Sequence, residues 1–589
     1  QDLELNGQTL HIQAASGQTH TYDGTLGAGT LDVSGAGTQV LRSSGADTDL
    51  TVSGGNLVLQ GKADVDGAHL SYGNLVNNGK LAIQASDNAL TAVNTTLSVE
   101  NATFGSGSTT TFTLNTDADM TASFIKASGD IVIENGAAFH VTSIPGVNIT
   151  WKSGNPMELT LMELTGAGTI DLGENTLTVG GLFLTYYKNA HLVQEGDKVV
   201  LKAEEQTDNI YAGVADTANS MAGANLIWEA ARHGSVDQAV TDFLAALNDD
   251  MVNNPSAARR SLAAAAGSTV TSLGIAQRDA LRDQMNWIRN RTNQMGVNPA
   301  YVNADLPYFH MWMQGTGSYA KLDTRGDESG YQLTTWGGTV GMDVDLSDHF
   351  TMGAAFTANY GDLTASAADT ADGHLDSYYA NLFGRYQSKR WAHTLILTGG
   401  WNDAKLNRTV NYGEGSYRTQ GNTNGWGFGA MYELTYDVYL NEDRSSILQP
   451  LANASVVTTR MDGYTETGAG NAGLNVGKQE WTTGTVALGG RWMGLIGSNI
   501  FGREALAEFR VNAAQDMGDR RGETNVALLG NPGFMQSVRG TKVGTTALQI
   551  GAGLSVPVGT QGTVFINGNA DFRDGANSVN GSVGYRYDF

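Results

Sequence analysis

The chain has 589 residues, with 76 Gly, 8 Pro, no Cys and a net charge of −24. That length exceeds one small domain, and the negative charge argues against nucleic acid as a partner. No apolar run approaches the ~18 residues of a spanning helix. If the chain crosses a membrane, it must do so as a closed barrel, the other architecture that satisfies its backbone hydrogen bonds in lipid. A chain without Cys suits passage through an oxidising periplasm. A start at Gln1 rather than Met is expected of a chain whose signal peptide has been removed.

Residues 1–205 are rich in Gly, Thr, Asn and Val. Short alternating runs recur, among them Leu31-Asp32-Val33, Leu50-Thr51-Val52, Leu81-Ala82-Ile83, Ile131-Val132-Ile133 and Leu177-Thr178-Val179. Gly27-Ala28-Gly29-Thr30-Leu31-Asp32 returns as Gly166-Ala167-Gly168-Thr169-Ile170-Asp171. Short strands with turn signals and degenerate repeats point to a β-solenoid of parallel β-helix type. The spacings are irregular, which keeps a β-sandwich as the competing architecture. The region has 8 Lys or Arg against 22 Asp or Glu. Its five His (positions 11, 20, 69, 140 and 191) are well separated. It lacks a Gly-x-Ser-x-Gly elbow, zinc spacing and a Gly-Gly-x-Gly-x-Asp calcium repeat. Neither enzymatic activity nor a cofactor or metal is expected.

Residues 206–305 lose Gly and gain Ala, Asn, Gln and Arg. Val236, Ala239, Val240, Phe243, Leu244 and Leu247 follow helical spacing between Gly234 and Pro255. A second helix is expected near residues 276–295, with Arg278, Arg282 and Arg289 on one face. Its Ala280, Leu281, Met285 and Ile288 share no simple single stripe with these Arg, so the helix is poorly suited to a dry core. Asn253-Asn254 reads as a loop between helices.

Residues 306–589 read as a twelve-stranded antiparallel barrel. The segments are 308–319, 331–346, 349–360, 374–387, 391–403, 418–440, 446–461, 479–493, 503–514, 541–556, 562–573 and 576–589. Most connections alternate between short and long; those at 320–330, 361–373, 404–417, 462–478 and 515–540 are expected to be outer loops. In the ninth segment Phe509 and Val511 should face lipid, and Glu508, Arg510 and Asn512 the lumen. Tyr378, Tyr379, Trp391, Trp401 and Trp492 are placed to populate interfacial girdles. The last strand carries Val579, Val583, Tyr585, Tyr587 and Phe589 on one face and Asn580, Ser582, Arg586 and Asp588 on the other. Two outer-loop motifs weigh less. Arg325-Gly326-Asp327 is an integrin-type tripeptide, by default a Gly turn. Asp372-Gly373-His374-Leu375-Asp376 is by default a solvated loop.

A solenoid, an Arg-bearing helix after Ser261-Leu262-Ala263-Ala264-Ala265-Ala266-Gly267, and a barrel ending Tyr585-Arg586-Tyr587-Asp588-Phe589 together resemble a type V, monomeric autotransporter. The resemblance implies insertion in the bacterial outer membrane with display of residues 1–205 outside. It implies that Val583, Tyr585, Tyr587 and Phe589 form the signal read by the barrel-assembly machinery. It also implies a helix resting in the pore, where Arg278, Arg282 and Arg289 would meet inward carboxylates such as Glu508 or Asp571 through weak, hydrated contacts. The expected partners are membrane lipid, the assembly machinery and an extracellular or host ligand of the passenger. The expected role is that of a non-enzymatic adhesin or surface module. The alternatives are a porin-like channel and a surface enzyme.

Overall fold

The computed structural model describes residues 2–64, 67–86, 93–114, 124–143, 157–293, 308–498, 504–559 and 561–589. By contacts the chain divides into two units. The first holds residues 1–214, 227–258 and 412–415; the second holds 215–226, 259–411 and 416–589.

The first unit is the solenoid. Its strands form three parallel seven-stranded sheets, apart from antiparallel pairings at the two ends of the third. One sheet stacks Leu31 on Leu50, Leu75, Ala102, Ile131 and Ile170, a column of apolar residues that no single rung could bury alone. The two copies of the repeated hexapeptide thus fall on one column, at Leu31 and Ile170. A second sheet stacks Leu59, Ile83, Phe112 and Val141, all buried. A side-chain ladder at one corner was not visible as a motif. Asp49 accepts from the Asn74 backbone N–H at 2.7 Å, Asn101 from that of Asp130 at 2.7 Å, and Asp130 from that of Thr169 at 2.8 Å. Each bond ties one rung to the next. The stack closes with an antiparallel hairpin, Tyr187–Glu195 and Lys198–Glu205, packed on the edge strand Met157–Leu164.

Four helices follow: α1 (Ala218–His233), α2 (Gln238–Asn253), α3 (Pro255–Ala266) and α4 (Ser272–Asn293). The expected loop at Asn253-Asn254 shrinks to the joint between α2 and α3, where the Asn254 side chain accepts from Ala257 N–H at 3.3 Å. Residues 294–295 of the expected second helix lie outside the described residues.

The second unit is the barrel: β1 (Tyr308–Leu322), β2 (Gly330–Ser347), β3 (Phe350–Ser366), β4 (Thr370–Ser388), β5 (Trp391–Tyr412), β6 (Gly415–Tyr436), β7 (Ser446–Met461), β8 (Gln479–Ser498), β9 (Glu504–Gly518), β10 (Thr546–Val558), β11 (Gly562–Arg573) and β12 (Ala576–Asp588). Each strand is antiparallel to its neighbour, and β12 returns to β1 in register from His310↔Asp588 to Leu322↔Ala576. Closure removes both sheet edges, as lipid demands. Alternation then sorts the side chains. Phe509 and Val511 are exposed on the outside, whereas Arg510 and Asn512 are buried inside. On β12 Val579, Val583, Tyr585 and Tyr587 point out, as does Phe589 just beyond it, while Asn580, Ser582, Arg586 and Asp588 point in.

Three expectations need correction. The segments 361–373 and 404–417 are strands joined by tight turns at 367–369 and 413–414, so the motif Asp372 to Asp376 lies within β4. Strands of 17 to 22 residues, as in β3, β5 and β6, exceed the ~9–11 needed to cross a bilayer, and the surplus extends beyond it. The long connections 462–478 and 519–545 are not open loops. They pair into a four-stranded sheet of Tyr464–Thr465, Leu474–Val476, Glu523–Leu528 and Gln536–Arg539. Finally, Tyr379 does not join a girdle. Adjacent to outward Tyr378, it must face the opposite side of the strand, and it is fully buried in the lumen.

Candidate functional site: the plugged lumen

Helix α4 lies inside the barrel. Nineteen of its 22 residues are buried, including Arg278, Arg289 and Arg291. A stripe does exist: Leu281, Met285 and Ile288, spaced four and three residues apart, share one face of the helix. They pack with Trp312, Tyr379, Phe383, Ile396, Met431 and Val457 on the lumen wall. The expectation that this helix is poorly suited to a dry core therefore fails on this face. The wall supplies an apolar patch that a sequence-level census of acidic residues overlooks. β6 makes room for this face with Gly427 and Gly429. A Cβ at Gly427 would meet Leu281 at 3.0 Å, and one at Gly429 would meet the Met285 sulfur at 2.6 Å. The sequence signal was present as Gly425-Trp426-Gly427-Phe428-Gly429, glycines inward and aromatics toward lipid.

The polar face is bonded at several heights. Near the top, Gln479 accepts from Gly274 N–H at 3.1 Å and donates to the Val270 carbonyl at 2.9 Å. Gln277 donates to the Trp426 carbonyl at 3.0 Å. Arg282 donates to Asp516 at 2.8 Å and to Thr485 at 2.9 Å, two residues paired across β8 and β9. Gln284 donates to Thr357 at 2.8 Å, and Asp283 accepts from Asn580 at 2.7 Å. Lowest is Arg291, 2.7 Å from Asp343.

The structure places all three Arg singled out by sequence on α4 in the lumen; Arg289 comes near the expected Glu508, whereas Arg278 and Arg282 take other partners. Asp571 is held by Arg573 at 2.6 Å, and Arg282 takes Asp516 instead. Arg278 pairs with its neighbour Asp279 and lies 5.0 Å from the centre of the Trp481 ring. Arg289 comes close to Glu433 and Glu508 without a hydrogen bond to either carboxylate. The firmest contact belongs to Arg291, which sequence had left out of the set. Its only advance signal was the inward carboxylate Asp343 on β2.

At the mouth the chain turns on Gly267, whose φ of +72° favours glycine. Here Arg408 of β5 is fully buried. It donates to both Glu466 oxygens at 2.8 and 2.6 Å and to the Ala264 carbonyl at 3.1 Å, capping the end of α3. Asp369, in the β3–β4 turn, lies 3.9 Å from Arg408 and accepts from Thr269. Burial pushes the Asp369 carboxyl up to about 6. The Arg408 charge opposes this, yet it is already matched by Glu466. The tripeptide at 325–327 forms the expected turn: Gly326 has φ +64°, Arg325 pairs with Asp574 at 3.0 Å, and the Asp327 carboxylate is engaged by Thr217.

Of the further assembly residues, Val583 pairs across from Gly315, Tyr585 from Met313 and Tyr587 from Met311 at the closing seam. Phe589 N–H donates to the Phe309 carbonyl at 3.0 Å. All four side chains face outward. Among the described residues no group of His, Cys, Asp or Glu is arranged to hold a metal ion.

A closed twelve-stranded barrel with lipid-facing apolar and aromatic side chains and a helix in its bore has the architecture of an outer-membrane protein. Residues 311–569, less than half of the chain, match the autotransporter β-domain family, and this match places the barrel in the outer membrane with the passenger region extracellular. The chain is 32% identical over 167 residues to the esterase EstA of Pseudomonas aeruginosa, covering 28% of this chain and 25% of that protein. It is 28% identical over 181 residues to an extracellular serine protease of Serratia marcescens, covering 30% and 16%. The chain thus spans a quarter or less of the length of these relatives. Among solved structures, the translocator domain of the autotransporter NalP from Neisseria meningitidis aligns with TM-score 0.38 and 15% identity, covering 53% of this chain and 98% of that one.

Proposed function

We propose that the barrel carries residues 1–205 to the cell surface and that this passenger acts there as a non-enzymatic adhesin or surface module. The observation that carries the reading is α4, which descends the bore from the mouth at Gly267 to Asp343 near the opposite rim. A chain laid this way has its upstream part outside. Stacked rungs fold locally and in sequence, so folding outside would bias the direction of transport. Val583, Tyr585, Tyr587 and Phe589 would be read by the barrel-assembly machinery, and the barrel would work as a monomer.

EstA and the serine protease carry enzymatic names. In residues 1–205 there is no Gly-x-Ser-x-Gly elbow, which supports the non-enzymatic reading here. A porin-like channel is the second reading, supported by unfilled polar space beside α4 lined by Arg282, Asn453, Gln549 and Asn569.

The test uses intact cells. Tags at residue 20 and within 462–478 should both be accessible, and protease shaving should release solenoid peptides. Cells bearing the full chain should adhere to extracellular-matrix proteins or to other cells more than cells lacking residues 1–205. Turnover of ester or peptide substrates that depends on residues 1–205 would overturn the non-enzymatic reading. Large steady conductance of the intact barrel would favour the channel.

A further inference from the structure

Arg491 on β8 and Arg510 on β9 stand directly opposite each other across the strand pair. Both point into the lumen and both are at most 1% exposed. Like charges facing each other across a sheet repel, so the finished fold gains nothing from this register. Arg385 on β4 adds a third buried guanidinium, and α4 brings Arg289 to the same place. Facing these four are three carboxylates, Glu433, Glu508 and, beside Arg385, Asp437, which also accepts from Gln449.

The carboxylates leave most of the guanidinium hydrogen-bonding capacity unused. Among the described residues, Arg491 Nε donates to Gln449 at 2.7 Å, yet its Nη1 and Nη2 have no hydrogen-bond partner, and Glu433 is 3.8 Å away. Arg510 donates through Nη2 to Asn569 but among the described residues leaves Nε and Nη1 without a hydrogen bond, with Glu508 at 4.0 Å. Arg385 likewise leaves Nε and Nη1 without a hydrogen bond among the described residues. Buried donors left unmade cost stability, and a local rule broken without a compensating contact marks a site used for something else. On another part of the wall each carboxylate is matched by a cation at 2.7–2.8 Å, Asp343 by Arg291 and Asp588 by Arg586, whereas Arg491 and Arg510 stand 3.8 and 4.0 Å from theirs.

We propose that Arg385, Arg491 and Arg510 form a carboxylate-binding track whose occupant is an acidic extended peptide, this chain's own passenger during transit. Residues 1–205 carry 22 Asp or Glu against 8 Lys or Arg, so carboxylates pass the track at short intervals. Each guanidinium presents a fork suited to a carboxylate. Glu433 and Glu508 prevent permanent capture by competing for the same donors. When transit ends, α4 brings Arg289 rather than an acid, and the track is left unfilled. This inference rests on the reading that residues 1–205 cross this lumen.

The experiment follows the appearance of an N-terminal tag on intact cells after a pulse of synthesis, in the full chain. Three barrels are compared: unmodified, Arg385→Gln with Arg491→Gln and Arg510→Gln, and the same positions changed to Lys. Each carries the native passenger or one with half its Asp and Glu changed to Asn and Gln. Heat-modifiable mobility reports barrel assembly separately. The Gln set should slow display of the native passenger at least threefold, the Lys set should stay near the unmodified rate, and the acid-depleted passenger should be indifferent to all three barrels. Equal rates with the native passenger, or equal slowing of both passengers by the Gln set, would overturn the proposal and leave the transport reading intact. If the Gln set does not assemble, single Gln variants are judged by the same dependence on passenger acidity. Failure of the unmodified chain to expose the tag would overturn both.

Discussion

Arg291 places one guanidinium nitrogen 2.7 and 2.8 Å from the two carboxylate oxygens of Asp343, with both side chains at most 1% exposed. The pair fixes the lower end of α4 to β2 through a contact that water cannot replace. Breaking a buried pair from one side strands the other charge. Arg291→Met should therefore destabilise the seated helix by about 3–5 kcal/mol, read as increased protease sensitivity of residues 272–293 in the purified barrel. The double variant Arg291→Met with Asp343→Leu should recover most of that loss. A single variant as resistant as the unmodified chain would contradict the pair's role.

The height of α4 in the bore is testable through Arg282. Cysteines at 282 and 516 should crosslink in high yield, whereas cysteines at 282 and 571 should not. In planar bilayers the intact chain should conduct weakly. A barrel lacking residues 256–293 should conduct several-fold more. Equal conductance would mean that the helix does not plug the pore.

Asp369 supplies a pH dependence. Its folded value of about 6 lies above the ordinary 3.8, so the native state holds a proton that the unfolded state releases. Its contribution is greatest below pH 3.8 and falls as pH rises through about 6. The loss is on the order of 1–3 kcal/mol, since a tenfold change in proton affinity is worth about 1.4 kcal/mol. Asp369→Asn should raise the melting temperature at pH 7.5 and flatten its dependence between pH 4 and 7. A melting temperature for Asp369→Asn that tracks the unmodified chain at every pH would exclude this account.

Phe589 closes the seam with an outward ring and a backbone bond to Phe309. Its ring packs against that of Tyr587, with centroids 5.0 Å apart. Phe589→Ser should lower the amount of chain in the outer membrane several-fold while leaving the melting temperature of assembled barrel within a few degrees. Normal membrane levels would assign the residue a merely structural part.

Much of this protein is legible in its sequence because lipid and solenoid stacking both impose strict periods. In β12 the alternation of Val583, Tyr585 and Tyr587 with Ser582, Arg586 and Asp588 is enough to assign lipid and lumen, since successive side chains must face opposite ways. The same rule, applied to Tyr378 and Tyr379 together, would have kept Tyr379 out of the girdle. The columns at Leu31 and Ile170 are likewise readable, because each rung must present its apolar residues to the next. The partners of the helix are a different matter. Arg282 and Asp516 are separated by 234 residues, and which carboxylate an arginine meets depends on the depth and rotation of α4 in the bore. Those follow from the Gly427 and Gly429 gap, the Leu281 stripe and the Arg408 cap acting at once. The strands within 462–478 and 519–545 were hidden for a related reason: only barrel closure brings these segments side by side. Sequence alone determined which faces meet lipid and which meet water. The tertiary structure decided which charge meets which, because that depends on distances set by the whole closed barrel rather than by any local repeat.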